Sequence, residues 1–120
     1  MNADRSRTAL GDFACHVLDV VDLIPAGRVM SYRDVADYLG RGSARAVGSV
    51  LARNGAEVCW HRVVMADGRP APHKDAEQLR RLRGDRTPLT GDGRRVDMAR
   101  ARWDGAGPVR PTERRPRMRG

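Results

Sequence analysis

The chain has 120 residues and carries 23 Lys and Arg against 15 Asp and Glu, a formal net charge of +8. This length allows one hydrophobic core. No apolar run approaches the ~20 residues of a membrane-spanning helix, and two cysteines, Cys15 and Cys59, do not make a disulfide framework. These features exclude a membrane protein, a disulfide-stapled secreted module and a multidomain enzyme. The start has no leader-like pattern, so a small cytoplasmic domain is expected, with a polyanion as partner and nucleic acid the first candidate.

In chain order, Leu10, Phe13, Ala14, Val17, Leu18, Val21 and Ile24 follow helical spacing and predict an amphipathic helix from about Thr8 to Leu23, ended by Pro25-Ala26-Gly27. Ser31 can cap a second helix, with Asp34 completing a capping-box pattern and Gly40 stopping it. Ser43 can cap a third helix running to about Arg53, with Asn54-Gly55 as its exit turn. Two short helices joined by Gly40-Arg41-Gly42 have helix-turn-helix spacing. Val58 to Met65 reads as a strand, and Asp67-Gly68 as the turn of a hairpin that would form a wing. Asp75 to Arg83 reads as a short last helix. Leu89, Val96, Met98 and Trp103 are expected to anchor an outer layer. Residues 1–103 would form the domain and residues 104–120, with five arginines and almost no apolar content, a disordered basic tail.

The charge is uneven. Residues 1–23 balance Asp4, Asp12, Asp19 and Asp22 against Arg5 and Arg7, whereas from Gly84 onward ten arginines face five acids. A positive excess that starts mid-chain points to a binding face. On the third helix, Val47, Val50 and Leu51 share the core side, leaving Arg45, Gly48, Ser49 and Ala52 outside. A helix that reads the major groove displays long polar side chains; this one displays one arginine on a smooth surface. Gly48 costs about 1 kcal/mol against Ala in a helix, so it serves either close helix packing or close approach of a ligand. A smooth helix with one long cation suits the minor groove, the arginine entering the base stack or replacing a displaced base.

The stretch Glu57 to Val64 concentrates unusual chemistry. On a strand, Trp60 would point opposite to Cys59 and His61, and it could be a core plug. No CxxC or HxxxH spacing appears among the cysteines and histidines, so no metal and no cofactor is expected. Cys59 and His61 could form a nucleophile pair, but nothing nearby in sequence orients the histidine. Cys15, on the core helix, reads as a packed thiol.

Ile24-Pro25-Ala26-Gly27-Arg28-Val29-Met30-Ser31-Tyr32 resembles the IPxGxVxSY motif of the DNA-binding domain of O6-alkylguanine-DNA alkyltransferases. Ala44-Arg45-Ala46-Val47-Gly48 matches their ARAVG recognition helix, Arg53-Asn54 their RN turn, and His61-Arg62-Val63-Val64 the end of their PCHRVV active-site motif. The resemblance covers roughly residues 10–83. Trp60 stands where the alkyl-accepting cysteine belongs, as in the alkyltransferase-like proteins, which bind O6-alkylguanine in DNA and pass it to nucleotide excision repair without dealkylating it. Gly93 to Trp103 is similar to their C-terminal stretch.

The resemblance implies a mainly α, winged helix-turn-helix domain with a small β-hairpin wing, acting as a monomer on double-stranded DNA and flipping the base through the minor groove. It implies that Tyr32, Arg45, Asn54, Trp60 and Val63 handle the lesion. Tyr32 would rotate the nucleotide phosphate, Arg45 would fill the vacated space, and Asn54 would sit at the pocket entrance. Ser31, Ser43, Ala44, Gly48, Ser49, Ala52 and Arg53 would contact DNA, and His61 and Arg62 would support the pocket. The glutamate that orients the family's histidine falls near Arg83, so that partner is expected to be missing. The family's lid is expected to be absent, replaced by Arg69-Pro70-Ala71-Pro72-His73. Two other functions stay open: an active alkyltransferase using Cys59, and a winged-helix transcription regulator.

Overall fold

The structure, a computed structural model, describes residues 11–105. The tail predicted to be disordered, beyond Gly105, and the helix start predicted at Thr8 lie outside the described residues. Helix α1 spans Asp12–Leu23 and buries Val17, Leu18, Val20 and Val21. A turn follows, with Arg28 N–H bonded to Pro25 C=O at 3.1 Å. Gly27 holds φ +86° there, and a Cβ on it would come within 3.3 Å of the Asp85 carbonyl. Strand β1 is Met30–Ser31, and α2 is Tyr32–Leu39.

The capping box forms as the sequence predicts. Asp34 N–H donates to Ser31 Oγ and Ser31 N–H to Asp34 Oδ2, both at 2.9 Å. Gly40 ends α2 in the left-handed region at φ +75°. Helix α3, Ala44–Asn54, is capped by Ser43 Oγ accepting from Ala46 N–H. Helices α2 and α3 pack against each other and against α1, forming the helix-turn-helix around a core of Val17, Leu18, Val21, Val35 and Val47.

The fold is mainly helical with one small sheet, but its strand pairing is not the predicted hairpin. Cys59 to Arg62 is not extended: Trp60–Arg62 winds into a 3-10 turn. The strand β2 that follows is only Val63–Val64, and it pairs in parallel with β1, Met30 opposite Val63 and Ser31 opposite Val64. Met65 N–H bonds Arg69 C=O at 2.8 Å, closing a tight turn over Asp67-Gly68. A returning strand cannot extend because Pro70 and Pro72 have no N–H to pair. The antiparallel turn lies further on, where Leu89 bridges Val96 and Thr90 N–H bonds Arg95 C=O.

Helix α4 is Asp75–Gly84 and α5 is Met98–Ala101. The C-terminal stretch is part of the core rather than an outer layer. Val96 and Ala101 join Val29, Val64 and Leu82 in a second apolar cluster, and Trp103 enters the main one. Trp103 N–H bonds Val29 C=O at 2.7 Å, and Val29 bridges Arg102, so this segment extends the hydrogen bonding around the segment leading into β1.

Candidate nucleic-acid interface

A cleft of about 280 Å³ opens between the start of α2, the outer side of α3, the 3-10 turn at Trp60 and the segment before α4. Its volume lies near the lower bound of small-molecule pockets, roughly 300 Å³, which suits one planar group rather than a bulky ligand. Tyr32, Gly48, Ala52 and Arg53 line one side and Trp60 another; Ala71, Pro72 and Lys74 close it.

Each wall has a local cause. The capping box fixes Ser31 and thereby the position of Tyr32 in the first turn of α2. Burial pushes the Tyr32 phenol above its ordinary pKa, keeping the hydroxyl protonated as a donor. A Cβ at Gly48 would meet only Tyr32 Cδ1, at 4.0 Å, an ordinary contact. Gly48 is therefore not demanded by helix packing; its missing side chain widens the cleft. Trp60 is half-buried, with the Lys74 ammonium 5.2 Å and the Arg81 guanidinium 5.7 Å from its ring centroid. Such cation–π contacts hold a half-buried ring in one orientation.

Below the cleft lies a charged hub. His61 Nε2 donates to Asp85 Oδ2 at 2.8 Å, and Arg62 donates to the same carboxylate from Nε at 2.8 Å and Nη2 at 3.2 Å. Arg62 Nη1 also donates to Ile24 C=O at 3.0 Å, tying the 3-10 turn to the end of α1. This corrects the expectation that His61 had lost its carboxylate partner: Asp85, just past the end of α4, supplies the carboxylate that Arg83 cannot. Burial is the largest influence on His61 and lowers its pKa despite Asp85, so the ring is neutral. With Nε2 donating, Nδ1 is left buried without a partner. Asp85 is held below the usual carboxylate range, first by the Arg62 hydrogen bond.

Gln78 is a second hub, fully buried on α4. Its Nε2 donates to His61 C=O at 3.1 Å and to Val63 C=O at 2.8 Å, and its Oε1 accepts from Ala71 N–H at 2.6 Å. One amide thus fastens residues 69–73, which take the place of the family's lid and serve as the lid of this cleft, to the strand that follows Trp60. Periodicity carried a signal for it, since Gln78 precedes the buried Leu82 by four residues.

The remaining residues singled out by sequence are spread around this cleft. Ser43, Ala44, Arg45, Ser49, Ala52 and Arg53 are exposed, on the first turn and outer side of α3. Arg45 makes no ion pair among the described residues. Three expectations are corrected. Val63 is fully buried in the core beneath the cleft rather than on its wall. Ser31 is 1% exposed with its hydroxyl engaged in the cap, so it positions Tyr32 instead of reaching outward. Asn54 donates to Val50 C=O at 3.3 Å and lines a separate groove beside Phe13. Neither cysteine lines the cleft, and among the described residues no group of three or more His, Cys, Asp or Glu could hold a metal ion.

The 6-O-methylguanine DNA methyltransferase, DNA binding domain, family matches residues 12–86. The chain belongs to this family. Two relatives, both DNA base-flipping proteins, from Escherichia coli strain K12 and Shigella flexneri, are 36% identical over 97 residues, 77% of this chain and 74% of theirs. Two solved structures of S. pombe Atl share the fold. Atl1 in complex with damaged DNA containing O6-carboxymethylguanine superposes with TM-score 0.64 at 26% identity, over 86% of this chain and 98% of that one. A second complex with DNA gives 0.62 at 27% with the same coverage. The matched residues 12–86 include the helix-turn-helix and the Trp60 turn that the cleft of this chain brings together. Among the described residues no helix is long and apolar enough to cross a membrane.

Proposed function

We propose that this protein is a non-catalytic sensor of O6-alkylguanine in DNA. It binds the duplex through the minor groove with the smooth outer side of α3, turns the alkylated base into the Tyr32–Trp60 cleft, and holds it there as a monomer until nucleotide excision repair proteins arrive. Both bacterial relatives are base-flipping proteins, and an S. pombe protein of the same fold binds damaged DNA, which supports the reading.

The single observation that carries it is the indole of Trp60 in the wall of the cleft. Dealkylation needs a thiolate to attack the alkyl carbon in line, and an indole is no substitute. A flat ring can instead lie against a flipped purine. Gly48 and Ala52 let a sugar–phosphate strand come close, the Tyr32 hydroxyl can donate to its phosphate, and Arg45 is free to enter the gap that the base leaves.

Intact-protein mass after incubation with O6-methylguanine duplex tests the non-catalytic half. The mass is expected to stay unchanged while the protein remains on the DNA. A stoichiometric gain of one methyl group, mapped to Cys59, would overturn it.

A further inference from the structure

The lid has a second side. Ala71 and Pro72, which close the base cleft, also line an open trough of about 570 Å³ whose other bank is the turn at residues 92–95. Arg69, His73, Arg94 and Arg95 face this trough, with Asp75 and Asp92.

Both banks are rigid. Gly68 C=O accepts from Val96 N–H at 2.9 Å. Gly68 itself holds φ +92°, and a Cβ on it would overlap the Val96 carbonyl oxygen, so only glycine fits. That close approach stitches the 67–69 turn to the 90–96 turn. The second turn is closed by Thr90 N–H to Arg95 C=O at 2.9 Å and Gly93 N–H to Thr90 C=O at 2.8 Å. Arg83 reaches over to Gly93 C=O at 3.3 Å. The lid is pinned by Gln78 at Ala71 N–H.

The acids here are largely committed. Asp92 accepts from Thr90 Oγ1 at 2.6 Å and from Arg94 N–H at 3.0 Å, and Asp67 pairs with Arg69 at 3.1 Å. Asp75 sits in the first turn of α4, where the helix dipole favours a carboxylate. The guanidinium groups of Arg94 and Arg95 make no ion pair among the described residues. Asp92, lowered first by the Thr90 hydrogen bond and further by the charges of Arg94 and Arg95, offsets these two guanidinium groups only in part; held out by the turn on the wall of the trough, they form an anion site organised before its ligand arrives.

The geometry points to a second DNA-backbone site: Arg94 and Arg95 grip the phosphates that flank the flipped nucleotide, on the far side of the lid from the base. This rests on the DNA-binding reading above. DNA is favoured over an acidic protein segment because trough and base cleft share one wall, so a strand that delivers a base to one side passes its next phosphates along the other. Phosphate binding of this kind carries no sequence or lesion information.

The test uses the full chain and the double variant Arg94→Ala/Arg95→Ala, with matched duplexes containing guanine or O6-methylguanine and titrations over a range of salt. A thermal melt of both proteins keeps folding in view. The variant is expected to melt like the parent and to bind both duplexes more weakly. Its slope of log affinity against log salt should be shallower by about 0.9 for each phosphate that it no longer neutralises, with the ratio between duplexes unchanged. An unchanged slope would overturn the proposal; so would binding of a polyglutamate peptide that the variant loses while its DNA affinity stays intact, which would give the trough to a protein. A parent that shows no preference for the lesion would count against the sensor reading alone, since the salt slope is read on either duplex.

Discussion

Asp85 accepts from both His61 Nε2 and Arg62 Nε at 2.8 Å, so one carboxylate just past α4 fixes the two residues that follow Trp60. It stands two positions beyond Arg83, where the family's carboxylate was expected, and reaches the same ring from the helix end. The hub sets Trp60 from below while Lys74 and Arg81 hold its ring from the side.

The hub predicts how stability depends on pH. The folded His61 pKa lies below its usual 6.5 because burial penalises the charge. The unfolded chain therefore takes up the proton first as pH falls, and stability declines from about pH 6.5 until the lowered folded value is passed. Asp85 is also lowered, so its contribution is present above about 3.8 and is lost as pH falls from there through its folded value. Melting temperature against pH should show both steps. Asp85→Asn should shrink the lower one, to which the lowered Asp34 also contributes, and cost about 2–3 kcal/mol, the scale of charge-assisted hydrogen bonds. A variant with the parent's acid profile would show that the hub does not contribute to stability.

Gln78→Ala should leave three backbone groups without the amide, at His61, Val63 and Ala71, and destabilise the protein by about 1–3 kcal/mol for each group left buried and unpaired. Gln78→Glu keeps the acceptor for Ala71 but sets oxygen against two carbonyls, and should be no better tolerated. Chemical denaturation measures both, and hydrogen exchange at Ala71 should accelerate in each. Protection at Ala71 that survives either change would mean that the lid is held by something else.

Gly48→Ala separates stability from function. The added methyl meets only Tyr32 Cδ1, at 4.0 Å, and should stabilise α3 by about 1 kcal/mol. It also narrows the cleft, so affinity for O6-methylguanine duplex should fall. A variant that gains stability and keeps full affinity would show that the strand does not approach α3 at this position.

Arg45→Ala should weaken binding to lesion duplex more than to plain duplex if Arg45 occupies the gap in the stack. Equal weakening on both would reduce it to a phosphate ligand. Tyr32→Phe should be harmful if the hydroxyl of this half-buried ring donates to the backbone of the turned nucleotide, and nearly silent if the ring only packs. Fluorescence polarisation with the two duplexes reads all of these differences.

The helices were legible because their signals are local: Ser31 with Asp34, Ser43 and Gly40 are caps that work within one turn. The segment at Trp60 has valines with strand character, yet its shape is set by Gln78 on α4 and Asp85 just past its end, far along the chain. Alternation cannot register a partner that distant. The same cause hid Trp103 and Val96, whose burial depends on the chain end returning to Val29. Of the residues that line the cleft, Tyr32, Gly48, Arg53 and Trp60 were singled out through motifs and Ala52 through its face of the third helix. Lys74, Ala71 and Pro72 were not assigned to it, because a lid wall is made by loop geometry that single residues do not announce.

A sensor of this kind must prefer an alkylated guanine to a plain one. Competition between two duplexes identical except for one O6-methyl group reads that preference without intermediaries, with binding followed by fluorescence polarisation. The methylated duplex is expected to bind more tightly, and the preference should persist as salt rises because it originates in the Tyr32–Trp60 cleft rather than at the phosphates. Equal affinity for the two duplexes at every salt concentration would contradict the sensor function.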